Sequence, residues 1–198
     1  MQTPSHFLLT AVLAHKAPAL TQTGSKISLL VGSILPDLPL VLLTLGYELY
    51  YRWFAVSPTS GSVMEYLHFD LFFTDPVWII SHNFFHSLVI NFVLLALGYW
   101  GMRREQRWAR LLFWLTVGTL FHTVIDILTH HNDGPLLFFP LNWKYRFPSP
   151  ISYWEAAYYG REFRIFEYAV DALIIVYLIT IWRKQIRQNA TVRSERGK

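Results

Sequence analysis

The stretch WARLLFWLTVGTLFHTVIDILTH, residues 108–130, decides the fold. It is apolar and long enough to cross a bilayer, which takes about 20 such residues, yet it carries His122 and Asp126 one helical turn apart. Ionisable groups at membrane depth are costly and as a rule face a bundle interior, paired or ligating. At a spacing of four residues the two side chains share a helix face and can serve one point. The stretch then runs on into His131, Asp133 and Gly134, so polar groups collect at its end.

The rest of the chain is of the same kind. Of its 198 residues 53% are hydrophobic and 17% aromatic, too apolar for an ordinary soluble domain and enough for one helical membrane bundle. There is no cysteine, which excludes disulfides and thiolate metal sites and makes any metal site a nitrogen and oxygen one. The net charge of +4 does not form a nucleic-acid face. Arg103, Arg104, Arg107 and Arg110 make one cluster and Arg183, Lys184, Arg187, Arg193, Arg196 and Lys198 another. Both adjoin apolar runs, the pattern of positive-inside anchoring, so a bilayer is the expected partner and nucleic acid is not. No Lys or Arg precedes the apolar start MQTPSHFLLTAVLA, which is therefore read as part of the mature chain.

The expected fold is all-α, a polytopic bundle of four to five transmembrane helices with aromatic interfacial loops. Residues 1–185 form one integral-membrane domain and 186–198 a basic cytoplasmic tail. The segments are 5–20, which is short; 27–49, interrupted by Pro36 and Pro39; 77–101; 108–130; and 166–182. Residues 50–75 and 131–165 carry Pro, Gly and many aromatics and read as loops or interfacial helices. With both basic clusters in the cytoplasm, five spans place the N-terminus outside and the C-terminus inside.

Depth along these helices singles out a site. At about 1.5 Å of rise per residue, His6 lies roughly 15 Å from Lys16, Asp37 roughly 16 Å from Lys26, and His122 and Asp126 roughly 18 to 24 Å from Arg110. His86 lies roughly 25 Å from Arg103. Five ligand-type residues on four helices thus share a level in the middle to outer part of the bilayer. Two carboxylates and three imidazoles suit Zn²⁺ or another borderline divalent ion, singly or as a carboxylate-bridged pair. His82 shares a helix face with His86 and is a further candidate ligand. His82, His130, His131 and Asp133 form an outer tier that could hold another ion, touch substrate, or be wet. Asp171, roughly 18 Å from Arg183, is a candidate supporting acid. The run NWKYRFPSPISYWEAAYYG, residues 142–160, with Lys144, Arg146 and the adjoining Arg161, reads as an interfacial belt or a seat for an anionic headgroup. No partner is evident for His15 or His68.

An early His6, LPD with Asp37, HS with His86 and Ser87, then H-x3-D-x2-T at His122, Asp126 and Thr129, followed by Gly134 and PLLFFP, resemble the membrane-bound metal-dependent hydrolases, a family with LexA-regulated inner-membrane members. The arrangement is more distantly similar to the zinc-dependent phospholipase C and S1/P1 nuclease group. The resemblance covers about residues 5–150 and implies an inner-membrane location. It implies that Asp37, His86, His122 and Asp126 hold one metal, and that His6 with a shared Asp126 helps hold a second. In the distant group the N-terminal amine is also a ligand; here five residues precede His6. The family's H-x4-H before the Ser is H-x3-H in HNFFH, which favours His86 over His82. Extra ligands for a three-ion cluster would have to come from His130, His131 or Glu155.

The expected activity is metal-dependent hydrolysis by activated water, of a phosphoester in a lipid or lipid-linked substrate, with one or two Zn²⁺. Asp37 or Asp126 would bridge the ions or take a proton, and His130 would protonate the leaving group. Two other classes use the same residues: a proton or divalent-metal transporter, and a non-catalytic scaffold whose polar groups pack helices. Substrate, metal identity and oligomeric state are not fixed by the sequence.

Overall fold

A computed structural model describes residues 1–17, 20, 22–56 and 61–196, with side chains to residue 190. The side chains of Arg193 and Arg196, and all of Lys198, lie outside that range. The helices are α1 (Thr3–Lys16), α2 (Thr23–Gly32), α3 (Leu38–Trp53), α4 (Val63–Glu65), α5 (Phe72–Thr74), α6 (Pro76–His86), α7 (Leu88–Arg103), α8 (Arg107–Thr129) and α9 (Gly160–Arg196). A π-helical turn, Tyr66–Leu71, joins α4 to α5, and a short 3₁₀ turn, Ala156–Tyr158, precedes α9. The all-α expectation holds: among the described residues β structure is limited to one bridge, Leu136 to Arg146, which pinches the loop after α8.

Two helices, α8 and the Gly160–Ala190 part of α9, are long and apolar enough to span; α6 with α7 makes a third if that pair, bent by 45°, is one span. By length and composition, two or three of the four to five expected spans are found among the described residues. With 14 and 10 residues, α1 and α2 reach only about 21 and 15 Å, short of the roughly 30 Å of hydrocarbon. They pack as a short hairpin against α8. The break expected at Pro36 and Pro39 falls between α2 and α3, with Asp37 just before α3 and a proline in its first turn.

The segment 77–101 is not one straight helix. Ser87 leaves the helical conformation and its hydroxyl accepts the Ile90 N–H at 3.2 Å, starting α7 anew. The Leu88 N–H goes to the carbonyl of Leu137 at 3.1 Å, and the Asn91 amide covers the Phe85 carbonyl at 2.7 Å. The groups freed by the bend therefore have partners, as a break at membrane depth requires. At its other end α6 is capped by Asp75, which accepts from the Val77 and Trp78 N–H groups with Pro76 in the first turn.

The molecule is built inside out. Its buried side chains are mostly polar, among them Asn83, Asn91, Thr116 and Thr119, while large apolar ones such as Leu173 and Val176 on α9 face outward. Small residues let the backbones meet: a Cβ on Gly32 would lie 2.0 Å from the Leu115 carbonyl oxygen, and one on Gly118 2.3 Å from that of Leu29. Replacing Gly118 by Val must push α2 off α8, a cost of about 1–3 kcal/mol or more by overpacking. Thermal unfolding in detergent should show G118V clearly destabilised and G46A, in the interior of α3 with open space around it, as stable as the wild type or slightly more so. Equal stability of the two variants would refute the contact.

Candidate metal centre

Four elements converge on one buried point. Asp37 arrives from the turn before α3, His86 from the end of α6, and His122 and Asp126 from one face of α8; one ligand atom from each of the four lies within 4.8 Å of all the others. His122 Nε2 is 2.9 Å from Asp126 Oδ2 and 3.4 Å from Asp37 Oδ1. His86 Nε2 is 3.2 and 3.6 Å from the same two oxygens and 3.1 Å from His122 Nε2.

The backbone fixes which ring nitrogens are free. His86 Nδ1 donates to the His82 carbonyl at 2.6 Å, and His122 Nδ1 donates to the Ser33 carbonyl at 2.8 Å, an acceptor left over at the end of α2. A carbonyl can only accept, so both Nδ1 atoms carry hydrogen and the neutral rings turn bare Nε2 lone pairs toward each other and toward two carboxylates. Such a set repels itself unless a proton on one of the two rings or a metal cation lies among the four atoms. Two imidazolium rings would relieve the carboxylates but oppose each other at 3.1 Å. Nitrogen and oxygen donors with outer backbone acceptors suit a divalent ion of borderline softness. The residues therefore fit a metal.

Asp126 has a second face. Its Oδ1 lies 2.9 Å from His6 Nε2, 3.5 Å from His130 Nε2 and 3.0 Å from the Met1 nitrogen. The Met1 nitrogen also reaches Thr129 Oγ1 at 2.8 Å and His130 Nε2 at 3.2 Å. The His6 ring stacks on that of His122, centroids 3.7 Å apart. All five residues placed at one depth by the sequence thus meet here, together with His130. His82 is adjacent, its ring 4.5 Å from that of His86, but it is outside the group of four.

Other candidates lie elsewhere. His131 Nδ1 donates to the Ser149 carbonyl at 2.6 Å and its ring stacks on Tyr158. Glu155 accepts from the Asn132 amide at 2.6 Å. Asp171 accepts from Ser5 Oγ at 2.6 Å, which ties α9 to α1 and brings it to none of the four clustered residues. His68 is the exception, lining the cavity beside the centre with its Nδ1 donating to the Met64 carbonyl, while His15 lies edge-on to Tyr177. Two supports escaped the sequence reading. Thr3 donates a short hydrogen bond to Asp37 Oδ2, and buried Glu167 accepts the Gln2 N–H at 2.7 Å. Glu167 stands four residues before Asp171 in an apolar helix, and that spacing was the available signal.

A cavity of about 340 Å³ opens beside the centre. Asp37, His82, Asp126, His130, Asp133 and Tyr153 make its polar wall; Pro4, Leu40, Val41 and Phe72 make an apolar one. His130 Nδ1 faces Asp133 Oδ1 at 3.0 Å. Burial pushes Asp133 up, but the His130 ring beside it outweighs this and holds the carboxyl below its usual range. Burial, then the charges of Asp133 and Asp126, raise Tyr153, so it remains a neutral phenol.

The fold and centre define an integral-membrane helical protein with a buried His/Asp cluster able to hold a metal ion. The chain belongs to the YdjM inner membrane protein family, whose family model matches residues 1–188. No curated protein and no solved structure matches it.

Metal analysis of purified protein tests the cluster. H122A and D126A should lose the ion, a drop beyond the ~10–100-fold in affinity that removing even an outer partner of a ligand costs. H131A should keep it, and full retention in both H122A and D126A would remove the site.

Proposed function

We propose that the protein is a membrane-embedded, metal-dependent hydrolase acting on a phosphoester of a lipid or lipid-linked substrate. The observation that carries this is the pair of bare Nε2 atoms facing two carboxylates at the wall of a cavity that is polar on one side and apolar on the other. The motif resemblance to the membrane-bound metal-dependent hydrolases supports it.

Asp37, His86, His122 and Asp126 would hold one ion, most simply Zn²⁺, and His6 with the shared Asp126 would contribute to a second. A bound divalent ion supplies a Lewis acid and a water acidic enough to attack near neutral pH. The chain's own residues do the rest. Thr3 orients Asp37 through the carboxylate oxygen that faces away from the histidines. The Asp133 carboxylate pairs with His130 from the Nδ1 side, and its Nε2, turned toward Asp126, can deliver a proton to a leaving oxygen. Leu40, Val41 and Phe72 exclude water on the other side and offer apolar surface to an acyl chain. The basic ends of α7, α8 and α9 lie on the cytoplasmic side, so the centre faces the middle to outer part of the bilayer.

Turnover of a short-chain phosphatidic acid or glycerophosphodiester in mixed micelles tests the reading. Chelation should abolish it and Zn²⁺ should restore it. H130Q should keep its metal and lower kcat by about 10²–10⁴-fold, the usual worth of a positioned acid or base. A metal-loaded protein inert toward every phosphoester but supporting ion flux in liposomes would replace the hydrolase with a transporter.

A further inference from the structure

His82 presents an unresolved cost. Its ring is 6% exposed, it lines the cavity, and neither ring nitrogen has a hydrogen-bond partner. Buried polar groups are nearly always satisfied, and leaving one unpaired costs about 1–3 kcal/mol. The ring is held by packing alone, 4.7 Å from the ring of Phe72 and 4.5 Å from that of His86. Among the described residues no carboxylate comes within 4.0 Å of either nitrogen, unlike His6, His86, His122 and His130, which all face one. The position therefore lacks the negative partner that a cation would share.

A cation packs on the same Phe72 ring instead. Arg146, half-buried in the loop after α8, places its guanidinium carbon 5.5 Å from the centroid of the same Phe72 ring and 5.4 Å from that of Phe73. One of its nitrogens donates to the Gly134 carbonyl, which fixes the head group and leaves further N–H donors of the fork free of that bond. Burial lowers its pKa to about 10, so it is charged at neutral pH. The Arg146 fork and the unpartnered His82 ring thus have the Phe72 ring as a common neighbour; an arginine fork together with an imidazole N–H is a donor set, and its complement is a tetrahedral oxyanion.

We propose that His82 and Arg146 form an oxyanion subsite beside the metal centre, which takes a non-bridging oxygen of the substrate's phosphoryl group through a His82 ring N–H and the Arg146 fork. The proposal rests on the hydrolase reading and deepens it: it names the substrate class as a phosphoanion and makes His82 a substrate contact in place of an ion ligand. The apolar wall at Leu40, Val41 and Phe72 lets the same cavity receive an amphiphile whose headgroup carries that phosphate.

The test uses the full chain in detergent micelles, with metal content and ligand affinity measured on the same preparations. The probes are inorganic phosphate and dihexanoyl phosphatidic acid, titrated by calorimetry. H82A, the size-preserving H82Q, and R146Q should retain the wild-type metal content and bind both probes about tenfold more weakly or worse, as expected for one lost charge-assisted hydrogen bond. R146K keeps the charge without the fork and should fall between wild type and R146Q; it also reads the position if the Gly134 contact proves needed for folding. Tighter binding of the phosphatidic acid identifies a lipid headgroup as the occupant, and equal binding identifies free phosphate; both support the subsite. Unchanged affinity in H82A and R146K overturns it. So does loss of metal from both His82 variants, which would make His82 an ion ligand. If wild type carries no metal but its phosphate affinity depends on His82 and Arg146, the hydrolase reading fails and the subsite stands. If wild type carries metal and the variants bind as it does, the subsite alone fails.

Discussion

The buried carboxylate of Asp126, reached by His6, His86, His122 and His130, is the contact around which the rest of the structure is arranged. A lone Asp at the centre of a membrane helix costs about 2.5–3.5 kcal/mol on insertion scales. Imidazoles facing both oxygens, and the cation that the set can hold, offset that cost. The geometry is demanding, because the rings come from α1, α6, α8 and the end of α8, and each helix must approach closely enough for atoms about 3 Å apart to meet. The glycines at the α2–α8 crossing, the Ser33 carbonyl that accepts from His122 and the Thr119 hydroxyl that donates to Asn91 follow from that requirement.

Polar interior and apolar exterior are two sides of one constraint. In hydrocarbon an apolar side chain gains little by turning inward, whereas an unpaired hydroxyl or amide loses much by turning outward. Hence Asn83 accepts the Leu136 N–H at 2.6 Å and Thr119 donates to Asn91, while the apolar residues of α9 are left facing lipid. The loop after α8 belongs to the same interior. Its backbone answers the bend at Ser87 through Leu137 and Phe139, so the loop that carries His130, Asp133 and Arg146 is tied to the helix that carries His82 and His86.

Much of this was legible because helical rise is nearly invariant. Counting residues from the basic ends put His6, Asp37, His86, His122 and Asp126 at one level without knowledge of how the helices pack, and they do meet. The span count was legible only in part for the complementary reason. Hydropathy describes a segment's preference for lipid but not where hydrogen bonding interrupts it, so the short α1 and α2 and the restart at Ser87 were hidden in apolar runs. Ser87 can cap a helix or sit silently within one, and the Leu137 carbonyl that decides between these lies 50 positions away. Glu167 and Thr3 were missed on similar grounds, since their partners, Gln2 and Asp37, come together only in three dimensions.

The two helix breaks explain why the centre lies where it does. An unbroken helix uses its carbonyls internally and presents only side chains. Ending α2 at Gly32 leaves the Ser33 carbonyl free, and that oxygen sets the His122 ring with Nε2 inward. Ending α6 at His86 puts that ring at a helix terminus, where its Nδ1 can turn back to the His82 carbonyl and its Nε2 can face the facing helix. The turn between α2 and α3 delivers Asp37 to the same point without asking a continuous span to carry it. Each break thus gives up part of a span and gains an oriented ligand. The apolar length that would make α2 or the two halves of α6–α7 unambiguous membrane helices is, physically, what the centre consumes.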